Sequence, residues 1–182
     1  LRGRDLVIDV DAPFHGDPPP SGPPGPTPGL WEHEVVELFV AEDRHGGDGP
    51  PASAGAVGHP ASADRPVEYL EVELGPAGHH LVLRLQGARN VVEEGMDIEY
   101  CSKVSGARWT GRAVVPGRCL PPEPWRMNAY AIHGIDGVAE GRRYLAWQPV
   151  PGDAPDFHQP DRFLGVWPGQ SAPTPLPPTP PN

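Results

Sequence analysis

The sequence predicts an all-β protein, an antiparallel β-sandwich of sandwich or jelly-roll type, carrying a proline- and glycine-rich insertion and a proline-rich tail. Three observations predict it. Apolar residues recur with period two in several short runs, the mark of strands with distinct faces. Gly-Pro turn chemistry separates the runs. No stretch shows 3.6-residue periodicity of comparable quality, and about eight short strands punctuated by turns suit a sandwich or jelly roll.

The elements follow in chain order. Leu6, Ile8 and Val10 alternate with Val7, Asp9 and Asp11. Val36, Leu38 and Val40 face one way, and Val35, Glu37 and Phe39 the other; the β-branched residues favour a strand over a helix here. Leu70, Val72 and Leu74 alternate with Tyr69, Glu71 and Glu73, and Leu81, Leu83 and Leu85 with Val82 and Arg84. Gly75-Pro76-Ala77-Gly78 between the last two runs signals a hairpin, which places both leucine sets in or near the core. Further strands are predicted at Ile98–Val104, Trp109–Val115, Met127–His133 and Arg143–Trp147, with Asp136-Gly137 and Glu140-Gly141 shaping the last connection.

Composition sets the domain limits. The 182 residues include 28 prolines and 23 glycines, with a formal charge of −10. Residues 43–66 hold Val57 as their single large apolar side chain and are expected to be a disordered insertion, and 168–182 a disordered tail, since neither buries enough apolar surface to offset its ordering entropy. The sandwich domain is therefore 1–167, and removing both segments is expected to leave it folded. Pro13–Pro28 reads as an ordered proline-rich loop. The acidic balance argues against nucleic acid, which calls for basic charge. No apolar run is long enough to span a membrane, and no signal peptide is visible. The chain begins at Leu1 and is read as a fragment. Cys101 and Cys119 form no metal pattern and are read as reduced thiols of a cytoplasmic protein.

Among chemical groups, the carboxylates come first. Glu71 and Glu73 share a strand face, roughly 7 Å apart by strand geometry, a span used by glycosidase acid pairs. Alternation equally produces a solvated outer face, and that is the expectation for them. Glu37 shares its face with Val35 and Phe39 and is expected to be a partly buried acid paired with Arg84 or Arg89. None of the eight histidines has metal-ligand spacing, and His79-His80 are expected to be exposed. No nucleophile elbow, Walker loop or dinucleotide fingerprint occurs. No cofactor or metal is expected. Of five tryptophans, Trp31 stands apart: it follows the proline-rich loop and enters an acidic strand.

Leu30-Trp31-Glu32-His33-Glu34-Val35-Val36-Glu37-Leu38-Phe39, Tyr69 through Gly78, Trp109-Thr110-Gly111-Arg112-Ala113, Asn128 through Gly134 and Pro155-Asp156-Phe157-His158 stand in one order. In that order the chain resembles an uncharacterised open-reading-frame family of small intracellular proteins, from about Val10 to Phe163. That family is in turn similar to the DOMON-like fold and to family 9 carbohydrate-binding modules. The resemblance implies a jelly-roll sandwich that binds a sugar or sugar-like ligand without catalysis. Modules of that kind clamp a sugar between two tryptophans; Trp31 would be one and Trp147 the candidate second. The candidate ligand-binding residues are Trp31 for stacking, Glu34 and Asp156 as acceptors, Arg89 and Asn90 at a strand end, and Asn128, His133 and His158 as a polar rim. Two alternatives stand beside this reading: a hydrolase acting on a glycoside or ester through Glu, Asp and His, and an interaction scaffold using the proline segments. The oligomeric state is not legible in the sequence.

Overall fold

The computed structural model describes residues 4–44, 65–135, 141–152 and 155–166. Most of the expected insertion, the tail, Trp167 and residues 136–140 of the predicted connection lie outside them. Strands dominate: β1 Leu6–Pro13, β2 Gly25–Pro26, β3 Val35–Glu42, β4 Glu68–Leu74, β5 His79–Gln86, β6 Val91–Glu94, β7 Glu99–Ser105, β8 Arg108–Val115, β9 Trp125–His133, β10 Arg143–Ala146 and β11 Leu164–Val166. Each strand expected from the alternation is present. The short β2, β6 and β11 were not foreseen, because two to four residues carry too little pattern to detect.

The strands form two sheets. The smaller has the order β1-β8-β7; the larger has the order β10-β9-β3-β4-β5-β2, with β11 also on β9 and β6 also on β5. All pairings are antiparallel except the short one between β2 and β5. The predicted hairpin joins β4 to β5: Gly75 N–H donates to the His79 carbonyl, and Gly78 takes φ 87°, which glycine adopts without strain.

Period two then decides what each face meets. Leu70, Val72 and Leu74 of β4, Val40 of β3 and Val82 of β5 pack against Trp109, Ala113 and Val115 of the smaller sheet, with Leu6, Ile8 and Val10 alongside. Cys119 joins this core, while Cys101 is exposed. The other face of the larger sheet presents Val35, Phe39, Tyr69, Leu81, Leu83, Leu85, Tyr130 and Ile132. It is covered by Leu30 of a 3-10 turn, Leu30–Glu32, and by Val150, Phe157 and Phe163 of the C-terminal segment. The two leucine sets expected to share one core are both buried, on opposite faces: Leu81 pairs with Glu73, and Leu83 with Glu71. His79 and His80 are buried too, contrary to the expectation of exposure. They sit inside β5, where the parallel β2 and the Tyr100 ring cover them.

The proline-rich loop is ordered through its backbone. Glu34 accepts hydrogen bonds from the backbone N–H groups of His15, Gly16 and Asp17 at 2.9–3.3 Å, and the Asp17 carboxylate accepts one from Gly134 N–H. At the neck of the insertion, Arg44 donates to the backbone carbonyls of Arg65 and Pro66, and both Arg44 and Arg65 pair with Glu42.

Trp109 is 1% exposed at the centre of the inter-sheet core. Trp109→Ala should cost about 3–5 kcal/mol, the range for deleting a large buried aromatic. A denaturant midpoint close to the parent's would reject this placement of the core.

Candidate functional site: a carboxylate-floored cleft on the outer face of the larger sheet

The in-register pairing of β3 and β4 brings three acids together. Glu37 lies directly opposite Glu73, and Glu71 lies one step along on the same face, opposite Phe39. They are 3%, 0% and 4% exposed, respectively. The sequence expectation of a solvated outer face for Glu71 and Glu73 is therefore overturned, because the C-terminal segment and the 3-10 turn cover this face. The expected partners of Glu37 are engaged elsewhere: Arg84 with Glu68 and Glu93, and Arg89 with Asp156.

Burial is the main force on these groups. Loss of water pushes the Glu37 carboxyl up to about 8; the Glu71 charge adds to the rise and Arg142 opposes it. Desolvation carries Glu71 to about 7, against the pull of the adjacent Glu73 carboxyl. Glu73 is raised furthest, to about 10, first by desolvation and then by the charges of Glu37 and Glu71. The backbone N–H of Trp31 tempers that rise without reaching hydrogen-bond geometry. As carboxylates these acids have no donor to offer one another, which leaves Oε2 of Glu71 and both oxygens of Glu73 without a partner.

Above the acids lies a cleft of about 280 Å³ whose lining includes Trp31, Glu37, Glu71, Arg89, Tyr144, Phe157 and His158. Trp31 stands on the 3-10 turn, 45% exposed. Arg142 fixes that turn by donating to the backbone carbonyls of Trp31 and Glu32, and its guanidinium lies 5.8 Å from the Tyr144 ring centroid. Phe157 stacks on Tyr130 at 3.8 Å. Tyr69 Oη accepts from Arg89 N–H at 3.2 Å and so donates its own proton to His158 Nδ1 at 3.0 Å. Desolvation pushes the phenol up to about 12 and keeps it a donor. Burial, and then Arg89, hold the His158 imidazole below its ordinary range. Asp156, despite a desolvation effect in the opposite direction, is held low by the Arg89 guanidinium at 3.0 Å.

The eight candidate ligand residues divide here. Trp31, Arg89 and His158 meet at the cleft, with Asp156 bound to Arg89 at its edge. Asn90 is next to Arg89 in the chain, and its amide donates to the Gln86 carbonyl, closing the turn after β5. Glu34, expected as a ligand acceptor, is a buried clamp on the proline-rich loop. Asn128, expected at the rim, is fully buried: its amide donates to Tyr130 Oη and the Gln148 carbonyl and accepts from Gln148 N–H. It ties β9 to the covering segment. His133 lies away from the cleft, stacked on His15 with centroids 3.6 Å apart. Burial and the His15 charge both lower its proton affinity. The aromatic residues lining the cleft with Trp31 are Tyr144 and Phe157, and Trp147 is not among them. Sequence reasoning missed Tyr144, Phe157 and the Glu37–Glu71–Glu73 cluster; the shared face of Val35, Glu37 and Phe39 was the signal available for the last.

Two tests follow from this geometry. Glu34→Ala should cost about 1–3 kcal/mol, the range for charged hydrogen bonds lost, and should speed amide hydrogen exchange at His15–Asp17. Unchanged exchange there would show that the loop is held by something else. For Glu73, both the folded and unfolded chains hold the proton below about pH 4.5, and above it only the folded chain does, up to about pH 10. The raised affinity thus penalises folding increasingly as pH climbs. Glu73→Gln, which cannot titrate, should raise the melting temperature slightly at about pH 5 and progressively more towards about pH 9. A gain independent of pH would contradict the burial of an unpaired carboxyl.

No protein-family model matches the chain, and no solved structure matches it. Relatives named in sequence collections do. The chain is 37% identical over 170 residues to the UPF0462 protein C4orf33 homolog of Danio rerio, covering 88% of this chain and 74% of that protein. It is 37% identical over 163 residues to UPF0462 protein C4orf33 of Homo sapiens, with 85% and 70% covered, and 37% identical over 168 residues to the Mus musculus homolog, with 88% and 75% covered. At that identity and coverage, the chain belongs to the UPF0462 family.

Proposed function

We propose that this protein is a non-catalytic binding module whose cleft takes a sugar or sugar-like polyol, on a sandwich of DOMON-like, family 9 carbohydrate-binding-module-like type. One observation carries the reading: a half-exposed indole, Trp31, lines the same small cleft as the buried carboxyl groups of Glu37 and Glu71. An apolar ring packs against the flat C–H face of a sugar, while carboxylates accept from its hydroxyls. Arg89 and the Nε2 side of His158 supply donors. A cleft of about 280 Å³ suits one small ligand, near the low end of ligand-pocket sizes.

A hydrolytic reading draws on the raised Glu71 carboxyl, which could act as a general acid beside Glu37. No nucleophile motif accompanies it, so binding ranks first. Chromogenic glycosides and esters separate the two: turnover abolished by Glu71→Gln would replace the binding reading.

The decisive variant is Trp31→Ala. Sugar binding, screened on a glycan array and measured by calorimetry, should be lost. Stability should fall by less than about 1.5 kcal/mol, since the ring is half in water. A loss in the range of about 3–5 kcal/mol would assign the ring to the core and remove the stacking platform.

A further inference from the structure

We propose that the ligand of this cleft carries a positive charge: a small ammonium-bearing molecule, such as an amino sugar or other hydroxylated amine, held by the Glu37 and Glu71 carboxylates and the aromatic residues lining the cleft. This rests on the reading of the cleft as the ligand site and adds the charge of what enters it.

The argument starts from an electrostatic imbalance. Among the described residues no Lys or Arg lies within ion-pair distance of Glu37, Glu71 or Glu73. Glu71 is nine-tenths buried or more, lines the cleft, and has an oxygen without a partner. The other charged and titratable groups around the cleft do not balance the acids. Arg89, from the turn after β5, is neutralised by Asp156 of the covering segment. Arg142, before β10, keeps its charge and partly offsets Glu37, but it makes no ion pair with the acids and does not line the cleft; its guanidinium is held by the carbonyls of Trp31 and Glu32 and lies by the Tyr144 ring. His158 accepts a hydrogen bond from Tyr69 and is held towards its neutral form, and the Tyr69 and Tyr130 phenols stay protonated. Among the described residues, the acids of the cleft floor therefore have no ion-paired counter-ion.

The walls fit the same ligand. Trp31 and Tyr144 are half-exposed, and Phe157 lies beside them. Aromatic faces attract ammonium groups, tryptophan most strongly, and cages of such rings recognise methylated ammonium. A neutral polyol would satisfy hydroxyl contacts while leaving the acids uncompensated. An ammonium offsets the charge of their ionised form, which burial makes costly. Because the acids hold protons near neutrality, a cation entering the site displaces them, and its binding strengthens as pH rises.

The test uses choline, whose charge does not titrate, against its neutral isostere 3,3-dimethylbutanol, by calorimetry on the full chain. Glucosamine and glucose form a second pair. Choline should bind at least about tenfold tighter than the isostere, within the range of desolvated cation–π and ionic contacts. Its affinity should climb between about pH 6 and about pH 9 as the carboxyl groups lose protons. Glu71→Gln should bring the two affinities together. Glu37→Gln provides the same readout if circular dichroism shows the first variant misfolded. Equal binding of choline and isostere would overturn the proposal, and sugar binding dependent on Trp31 would then still support the polyol site. Choline selectivity without any sugar binding would uphold the charge and overturn the polyol. Binding of none of the four probes would overturn both.

Discussion

A sheet covered on both faces is the constraint on which the rest of this structure depends. The larger sheet meets a second sheet on one side, the ordinary sandwich arrangement. On the other side, among the described residues, irregular chain does the covering: the 3-10 turn at Leu30–Glu32, and the segment that brings Val150, Phe157 and Phe163 onto Phe39 and Tyr69. Irregular chain has no ladder to satisfy its backbone, so side chains must hold it. Asn128 fastens Gln148, Tyr130 and Tyr69 fasten Phe157 and His158, and Glu34 fastens the proline-rich loop. These polar ties leave a gap between covering segments rather than a sealed layer, and the cleft is that gap.

This division explains what was legible in the sequence. Strand positions were, because Leu70, Val72 and Leu74 or Leu6, Ile8 and Val10 alternate regardless of what covers them. The hairpin at Gly75–Gly78 was, because its turn chemistry is local. The second face was not. Tyr69, Glu71 and Glu73 alternate with the leucines just as a wet face does, and period two cannot tell water from a loop packed above it. Burial of that face depends on residues some 80 to 90 positions away in the chain, as in the Tyr69–His158 hydrogen bond, separated by 89 residues. Glu34 and Asn128 were misplaced for a related reason. Polar residues beside an aromatic motif resemble ligand contacts, whereas here their polar atoms meet the backbone that the irregular cover leaves unpaired.

The acids are not what packing alone would select on such a face. A buried carboxyl without a partner destabilises the fold, and like charges directly opposite on adjacent strands add to that. Glutamine or leucine at Glu71 and Glu73 would remove the penalty without disturbing β4, whose other face supplies its share of the inter-sheet core. The structural clamps show the contrast. Glu34 is as deeply buried as Glu71, yet it receives three backbone N–H groups. Among the described residues, the chain thus satisfies a buried carboxylate where architecture requires one, and the carboxylates it leaves without a partner, Glu71 and Glu73, lie at the cleft floor.

The same contrast applies to the aromatic residues. Trp109 lies in the inter-sheet core, and Phe39 and Phe163 are sealed beneath the cover. Trp31 is held just as firmly through its backbone, by the Arg142 guanidinium on its carbonyl and by Gly29 in a left-handed conformation at the start of its turn, yet its ring stays half in water. Leu30, its neighbour on that turn, is fully buried and anchors it. One side chain of the turn is used for packing and the next is presented outward above unpaired acids. A turn fixed at both ends, with an exposed indole at its middle, has its ordering entropy met before any ligand arrives, which is the condition under which a small cleft binds with useful affinity.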